Sequence, residues 1–200
     1  MRLADILNSM SESPAGYVNA ARHIEAQVWD ELRPLRAGFL SSFTSELLRP
    51  YVIVECARRG IHAKPYFAPF NQLEQEVLDP GSALYAAQPE LVILATRLEE
   101  MAPRLTTRFL SLSSREIEKE LSDLHGRMQG LIEGIRRMCS PKILVFNFAP
   151  SVNLAAGMAD VTLNPSHGPW SVNSVSITGQ FVVRSCSTLA GAMECATPSV

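Results

Sequence analysis

The sequence predicts an α/β fold with a mainly parallel sheet and helices on both of its faces. Short apolar runs with strand character alternate with helical segments along the chain. The run Leu-Val-Ile-Leu at 91–94 is continuously apolar, which is typical of a strand buried on both faces of a parallel sheet. A long amphipathic segment begins at Ser113 or Ser114 and is suited to cover such a sheet.

The first third of the chain predicts a helix, a strand, a second helix and a second strand. The apolar face of the first helix consists of Val18, Ala21, Ile24, Val28 and Leu32, three or four residues apart. Pro34 stops that helix, Pro50 suits the first turn of the next one, and Gly60 lies just past its end. In chain order, we predict a helix within 1–33, a strand over 35–40, a helix over 51–59 and a strand over 62–67.

The middle of the chain predicts a crossover, a buried strand, a long helix and a fourth strand. Residues 71–88 predict a helical or turn-rich crossover, broken at 79–81 by Asp-Pro-Gly. Ser113 and Glu116 have the spacing of a capping box. The apolar seam of the long helix consists of Ile117, Leu121, Leu124, Met128, Leu131, Ile135 and Met138. A partner-binding coiled coil would give this seam, but a helix laid on a sheet is the more common cause. Pro141 ends the helix, and KILVFNFAP predicts the fourth strand.

The composition changes towards the end of the chain. Residues 157–200 contain only three charged residues, Asp160, Arg184 and Glu194, and show no helical period. We therefore predict three parts, a helical extension over 1–34, an α/β domain over 35–156 and an atypical tail over 157–200. A disordered, foreign or frame-shifted segment would each explain the tail, and the sequence leaves these open.

Composition and charge argue against a nucleic-acid-binding, membrane or metal-binding protein. The 200-residue chain has a net charge of −2 and no basic stripe, so we expect no nucleic-acid partner. It has no apolar run long enough for a signal peptide or a membrane span, so we expect no membrane partner. The four cysteines form no C-x-x-C pair, which predicts free thiols, no metal site and a cytoplasmic location.

Polar side chains follow each predicted strand, at the edge where parallel α/β sheets bind ligands. Ser41, Ser42 and Thr44 follow the first strand, and Asn71 follows the second. Thr96 and Arg97 follow the third strand, and Asn147 follows the fourth. Asparagine amides can donate to an oxyanion, and arginine can bind a phosphate or carboxylate. We therefore predict ligand binding by Thr44, Asn71, Arg97 and Asn147.

Several local motifs resemble the N-terminal domain of FkbH-like proteins, phosphatases of the haloacid-dehalogenase superfamily, subfamily IIIC. In chain order these motifs are Ser41–Thr44, Leu48–Tyr51, Tyr66–Gln72 and Asp79–Tyr85. The stretch KILVFNFAPS resembles a later strand of that family, so the resemblance covers about 30–165. It implies a flavodoxin-like or SGNH-hydrolase-like three-layer sandwich. Position 42 is Ser, where the family pattern has Asn.

The resemblance also implies a function for the full-length relatives. They load a phosphoglycerate-derived unit onto an acyl carrier protein in polyketide pathways and remove its phosphate, and others act in surface-polysaccharide pathways. That chemistry belongs to a downstream domain with a D-x-D motif and Mg²⁺. The five aspartates here, Asp5, Asp30, Asp79, Asp123 and Asp160, form no D-x-D. We therefore expect no cofactor in this chain, and an acyl carrier protein or a separate phosphatase domain as partner.

Three functions are compatible with these residues. The first is a truncated N-terminal module that positions a substrate or carrier protein for a phosphatase domain. The second is an SGNH-like esterase in which Ser42, or Ser41, is the nucleophile and His167 is the base. The third is a scaffold that associates through the long helix. Against the esterase, serines at a strand-to-helix turn more often bond to local backbone.

Overall fold

A computed structural model describes residues 2–148 of the chain. His167 and the predicted tail lie outside these residues. The sheet contains β1 (Arg33–Ser41), β2 (Ile61–Phe67), β3 (Leu91–Ala95) and β4 (Lys142–Val145), in the spatial order β2-β1-β3-β4. All pairs are parallel, and Phe39 of β1 lies between Phe67 and Ile93. Helices flank both faces, which confirms the predicted three-layer α/β architecture.

The helices follow the strands in the alternating order that the sequence predicts. In chain order they are α1 (Leu3–Ser9), α2 (Pro14–Glu25), α3 (Arg49–Ala57), α4 (Leu73–Leu78), α5 (Ala83–Ala86), α6 (Leu98–Met101), α7 (Pro103–Thr107) and α8 (Ser114–Met138). Short 3₁₀ turns precede α3 and α8, at Glu46–Leu48 and Phe109–Ser111. Helices α6 and α7 were not predicted, because each is too short to establish a period.

The two faces of the sheet bury different side chains, because successive strand residues point to opposite sides. Leu35, Ala37 and Phe39 of β1 pack towards α3, in a cluster that includes Val52 and Cys56. Leu40 lies on the other face, packed in the cluster that contains the seam of α8. Five of the seven predicted seam residues are buried there, so α8 is a helix laid on a sheet. Met138, at the end of the seam, is exposed.

The start of the chain differs from the predicted single helix within 1–33. It forms two helices, and Ser13 caps the second by accepting from the Gly16 amide at 3.1 Å. Val28 was predicted on the buried face but is 87% exposed, because α2 ends before it and Trp29 fills that position instead. The Trp29 indole donates to the Ile24 carbonyl at 2.9 Å, which turns the chain sharply after α2.

Several predicted end signals agree with the structure, although α3 is shifted two residues towards the start of the chain and β4 ends at Val145, within the predicted strand KILVFNFAP. Gly60 follows α3 with a φ of 73°, a left-handed conformation that favours glycine. Ser113 and Glu116 form the predicted capping box at the start of α8. Strand β1 begins at Arg33 and includes Pro34, two residues earlier than predicted. Helices α1 and α2 pack on the outer face of α3, in a cluster that includes Ile24, Ile53 and Val54.

Candidate functional site

The strand order places a topological switch point between β1 and β3. The chain moves from β1 outward to β2 on one side, and then crosses to β3 and β4 on the other. In open parallel sheets a ligand crevice forms at such a point, outside the carboxyl ends of the strands. We call the side chains at these strand ends the carboxyl-edge site; its members are Ser41, Ser42, Thr44, Ser45, Asn71, Arg97 and Asn147.

Ser42 joins the two strands that flank the switch point. Its backbone N–H donates to the Ala95 carbonyl at 3.2 Å, and its Oγ accepts from the Arg97 N–H at 2.9 Å. The side chain is only 3% exposed. These two bonds hold the ends of β1 and β3 together. Ser42 therefore has a structural use whether or not it also reacts.

Ser41 is buried on the opposite side of β1 and bonds within its own loop. Its Oγ donates to the Phe43 carbonyl at 2.7 Å and lies 2.7 Å from the Ser45 Oγ. Ser41 and Ser45 are 1% and 5% exposed. This is the local bonding expected of serines at a strand-to-helix turn. Ser45 was not predicted as a site residue, although its spacing of four from Ser41 allows this contact.

The predicted ligand-binding residues all lie at the surface of the carboxyl-edge site. Thr44, Asn71 and Asn147 are exposed, and their side chains make no hydrogen bond within residues 2–148. Arg97 lies at 3.7 Å from Glu99 as a loose ion pair, with 55% of its side chain exposed. Asn71 has a φ of 56°, which asparagine tolerates better than most residues. These groups are available to a ligand, unlike the buried serines.

The described histidines give no base for either serine. His62 pairs with Pro34 at the amino end of β2, the opposite end of the sheet from the serines. Burial and the nearby Lys64 charge lower its pKa. His23 and His125 are exposed on α2 and α8. The pairing of Ser42 with His167 stays a prediction, because His167 lies outside the described residues.

Acidic, thiol and imidazole groups do not cluster in the described part of the chain. Between residues 2 and 148, no three His, Cys, Asp or Glu side chains lie close enough together to hold a metal ion. Burial raises the pKa of the Cys56 thiol to about 12, so this group is held as the thiol at neutral pH. The described residues thus offer polar, uncharged groups and one arginine to a ligand at the strand ends.

The motif at Asp79–Tyr85 has a structural use. The Asp79 carboxylate accepts from the Gly81 N–H at 2.9 Å, and Ser82 Oγ donates to the Glu76 carbonyl at 2.7 Å. Glu76 in turn accepts from the Leu84 N–H at 2.9 Å, and the Tyr85 hydroxyl donates to the Val77 carbonyl at 2.7 Å. We call this set, Glu76 with Asp79, Ser82, Leu84 and Tyr85, the crossover cluster. It fixes α5 to the end of α4.

Apolar side chains are exposed beside the carboxyl-edge site. Leu47 and Leu48 lie in the 3₁₀ turn before α3, and Phe70 follows β2; Leu47 is 78% exposed and Phe70 is 62% exposed. Arg49 lies over the Phe67 ring, 5.5 Å from its centroid, and pairs with Glu25 at 3.5 Å. No sequence pattern assigned a role to Leu47, and Leu48 entered only as the first residue of the motif at Leu48–Tyr51.

The fold is similar to that of a solved structure that includes a phosphatase domain. The structure of the N-terminal part of the protein BF1531 from Bacteroides fragilis, which contains a phosphatase domain complexed with Mg, matches with a TM-score of 0.54 and 16% identity. The match covers 74% of this chain and 37% of that chain. At this identity the similarity concerns the fold. No protein-family profile and no curated protein sequence matches. Within residues 2–148, no helix combines the length and apolarity needed to cross a bilayer.

Proposed function

We propose that this chain is a binding module that positions a substrate or an acyl carrier protein for a phosphatase domain of the FkbH-like kind. The observation that carries the proposal is the set of exposed polar side chains at the switch point, with buried serines engaged beneath them. The similar fold in BF1531 belongs to a protein with a phosphatase domain. The motif resemblance independently implies such a domain.

The residues of this chain suit binding, whereas the phosphatase chemistry would belong to another domain. A phosphatase of this superfamily needs an aspartate nucleophile and a second aspartate two residues later, beside Mg²⁺. This sequence has no D-x-D. Thr44, Asn71, Arg97 and Asn147 offer hydrogen bonds and one positive charge, which suit recognition of a carbonyl, phosphate or carboxylate. The exposed Leu47, Leu48 and Phe70 add an apolar rim beside them.

An SGNH-like esterase is the second candidate, favoured by the position of Ser42 at the carboxyl end of β1. A serine nucleophile requires a base within hydrogen-bond reach. The Ser42 oxygen already accepts the Arg97 N–H, and this bond lowers its nucleophilicity further. A scaffold that associates through α8 has less support, because the seam of that helix packs on the sheet.

Binding and turnover distinguish these functions. We expect the full chain to bind a holo-acyl carrier protein or free 3-phosphoglycerate in calorimetry, and Arg97→Ala to weaken that binding at least tenfold. Lys64→Ala, on β2 and exposed, is the matched control and should bind like wild type. For the esterase, hydrolysis of p-nitrophenyl acetate that Ser42→Ala abolishes and Ser111→Ala preserves would replace the binding module with an enzyme. The absence of binding to both probes would reject the proposed module.

A further inference from the structure

We propose that Ser45 is a positioning residue of the carboxyl-edge site. Its hydroxyl donates to Ser41, and Ser41 in turn holds the Phe43 carbonyl, so that the loop presents Thr44 to a ligand. The inference rests on the proposed function, because Thr44 is one of the residues assigned there to ligand binding. It adds a residue that contacts no ligand itself and acts through its neighbours.

Counting protons fixes the direction of this chain of hydrogen bonds. A carbonyl oxygen can only accept, so Ser41 must use its single hydroxyl proton for the Phe43 carbonyl, at 2.7 Å. The 2.7 Å contact between the two serine oxygens therefore takes its proton from Ser45. Within residues 2–148, the Ser45 proton has no other acceptor. The order is Ser45 to Ser41 to Phe43.

Burial makes each hydrogen bond between Ser45, Ser41 and Phe43 costly to lose. Both serines are almost fully buried, so water cannot replace a missing partner. The Ser45 carbonyl also accepts from the Leu48 N–H at 2.9 Å, which starts the 3₁₀ turn before α3. Ser45 thus closes the loop behind Thr44 with its side chain and begins the next turn with its backbone. Thr44, between them, is the exposed hydroxyl of the stretch.

Amide spectra of the full chain test this role without a ligand. In Ser45→Ala we expect the amide signals of Phe43 and Thr44 to shift, because Ser41 loses the buried hydrogen bond from the Ser45 hydroxyl. Ser45→Thr keeps the hydroxyl and should restore both. Ser111→Ala, an exposed serine in the other 3₁₀ turn, is the control and should change neither. Unchanged Phe43 and Thr44 signals in Ser45→Ala would overturn the proposal.

A double-mutant cycle covers the case in which Ser45→Ala is broadly destabilised. Because Ser45 acts through Ser41, we expect Ser41→Ala with Ser45→Ala to change the unfolding equilibrium constant about as much as Ser41→Ala alone. Additive effects would show that the two hydroxyls act independently and would overturn the chain. None of these measurements uses a ligand. A failure to bind a carrier protein would reject the binding module, whereas only these spectra and this cycle decide the role of Ser45 in the loop.

Discussion

The crossover cluster and the exposed residues of the carboxyl-edge site contain similar residue types in opposite states. In the crossover cluster, Asp79, Ser82 and Tyr85 bond to backbone groups of the same segment, and Leu84 is fully buried. At the carboxyl edge, Thr44 and Asn71 are exposed and make no side-chain hydrogen bond within residues 2–148. Both regions carry the family resemblance. A motif match can therefore coincide with satisfied hydrogen bonds in one place and with exposed polar side chains in another.

The largest expected effect lies in the crossover cluster. Leu84 is fully buried, and its Cδ1 would lie 2.6 Å from a Cβ added at Gly38 of β1. We expect Leu84→Ala to cost about 2–5 kcal/mol and Gly38→Ala about 1–3 kcal/mol of unfolding free energy. The double variant should lose less than the sum in denaturant unfolding, because the shorter side chain makes room. A strictly additive pair would show that the two residues do not share this contact.

Glu76 should give the next largest effect. Glu76→Ala removes the acceptor of the Leu84 N–H and the negative charge near Tyr66. We expect a loss of about 1–3 kcal/mol in chemical unfolding, because a buried donor loses its partner. Glu76→Gln retains an acceptor oxygen and serves as the matched control with a smaller loss. Equal losses in the two variants would argue that charge, rather than hydrogen bonding, explains the role of Glu76.

The same carboxylate predicts a pH dependence at alkaline pH. Burial raises the pKa of Tyr66, and the nearby Glu76 carboxylate raises it further. A folded pKa above the unfolded value near 10 contributes stability that is fully present below about pH 10. That stability is lost as the pH rises from about 10 towards the folded pKa. Thermal unfolding should therefore show a steeper alkaline decline in wild type than in Tyr66→Phe; parallel curves would contradict the assignment.

The exposed residues of the carboxyl-edge site should be the least sensitive positions for stability. We expect Thr44→Ala and Arg97→Ala each to change the unfolding free energy by at most about 0.5 kcal/mol, because exposed side chains without tight partners contribute little. Asn71→Ala is excluded from this comparison, since its positive φ adds backbone strain. A loss of unfolding free energy above about 1 kcal/mol in either variant would match the loss of a buried hydrogen bond. It would mean that these residues stabilise the fold, and it would weaken the contrast between the two regions.

The sequence predicted the fold well, together with the place of several polar residues at the strand ends, for physical reasons. Periodicity reports which face of an element is buried, so it located the four strands and α8. It misplaced Val28, because a period continues past the point where Trp29 turns the chain. The exposed residues at the strand ends followed from the topology of parallel sheets. The hydrogen bond between Ser45 and Ser41 depends on how their loop closes. The hydrogen bond between Ser42 and Arg97 depends on the pairing of strands whose residues are 55 positions apart. No local sequence pattern reports either of them.

The most direct test of the binding account is an amide-shift titration of the labelled full chain with a holo-acyl carrier protein and with 3-phosphoglycerate. We expect shifts concentrated at Thr44, Asn71, Arg97 and Asn147, and small shifts around the crossover cluster. Saturable shifts centred elsewhere, for example at the amino ends of the strands near His62, would contradict it. So would the absence of shifts with both probes.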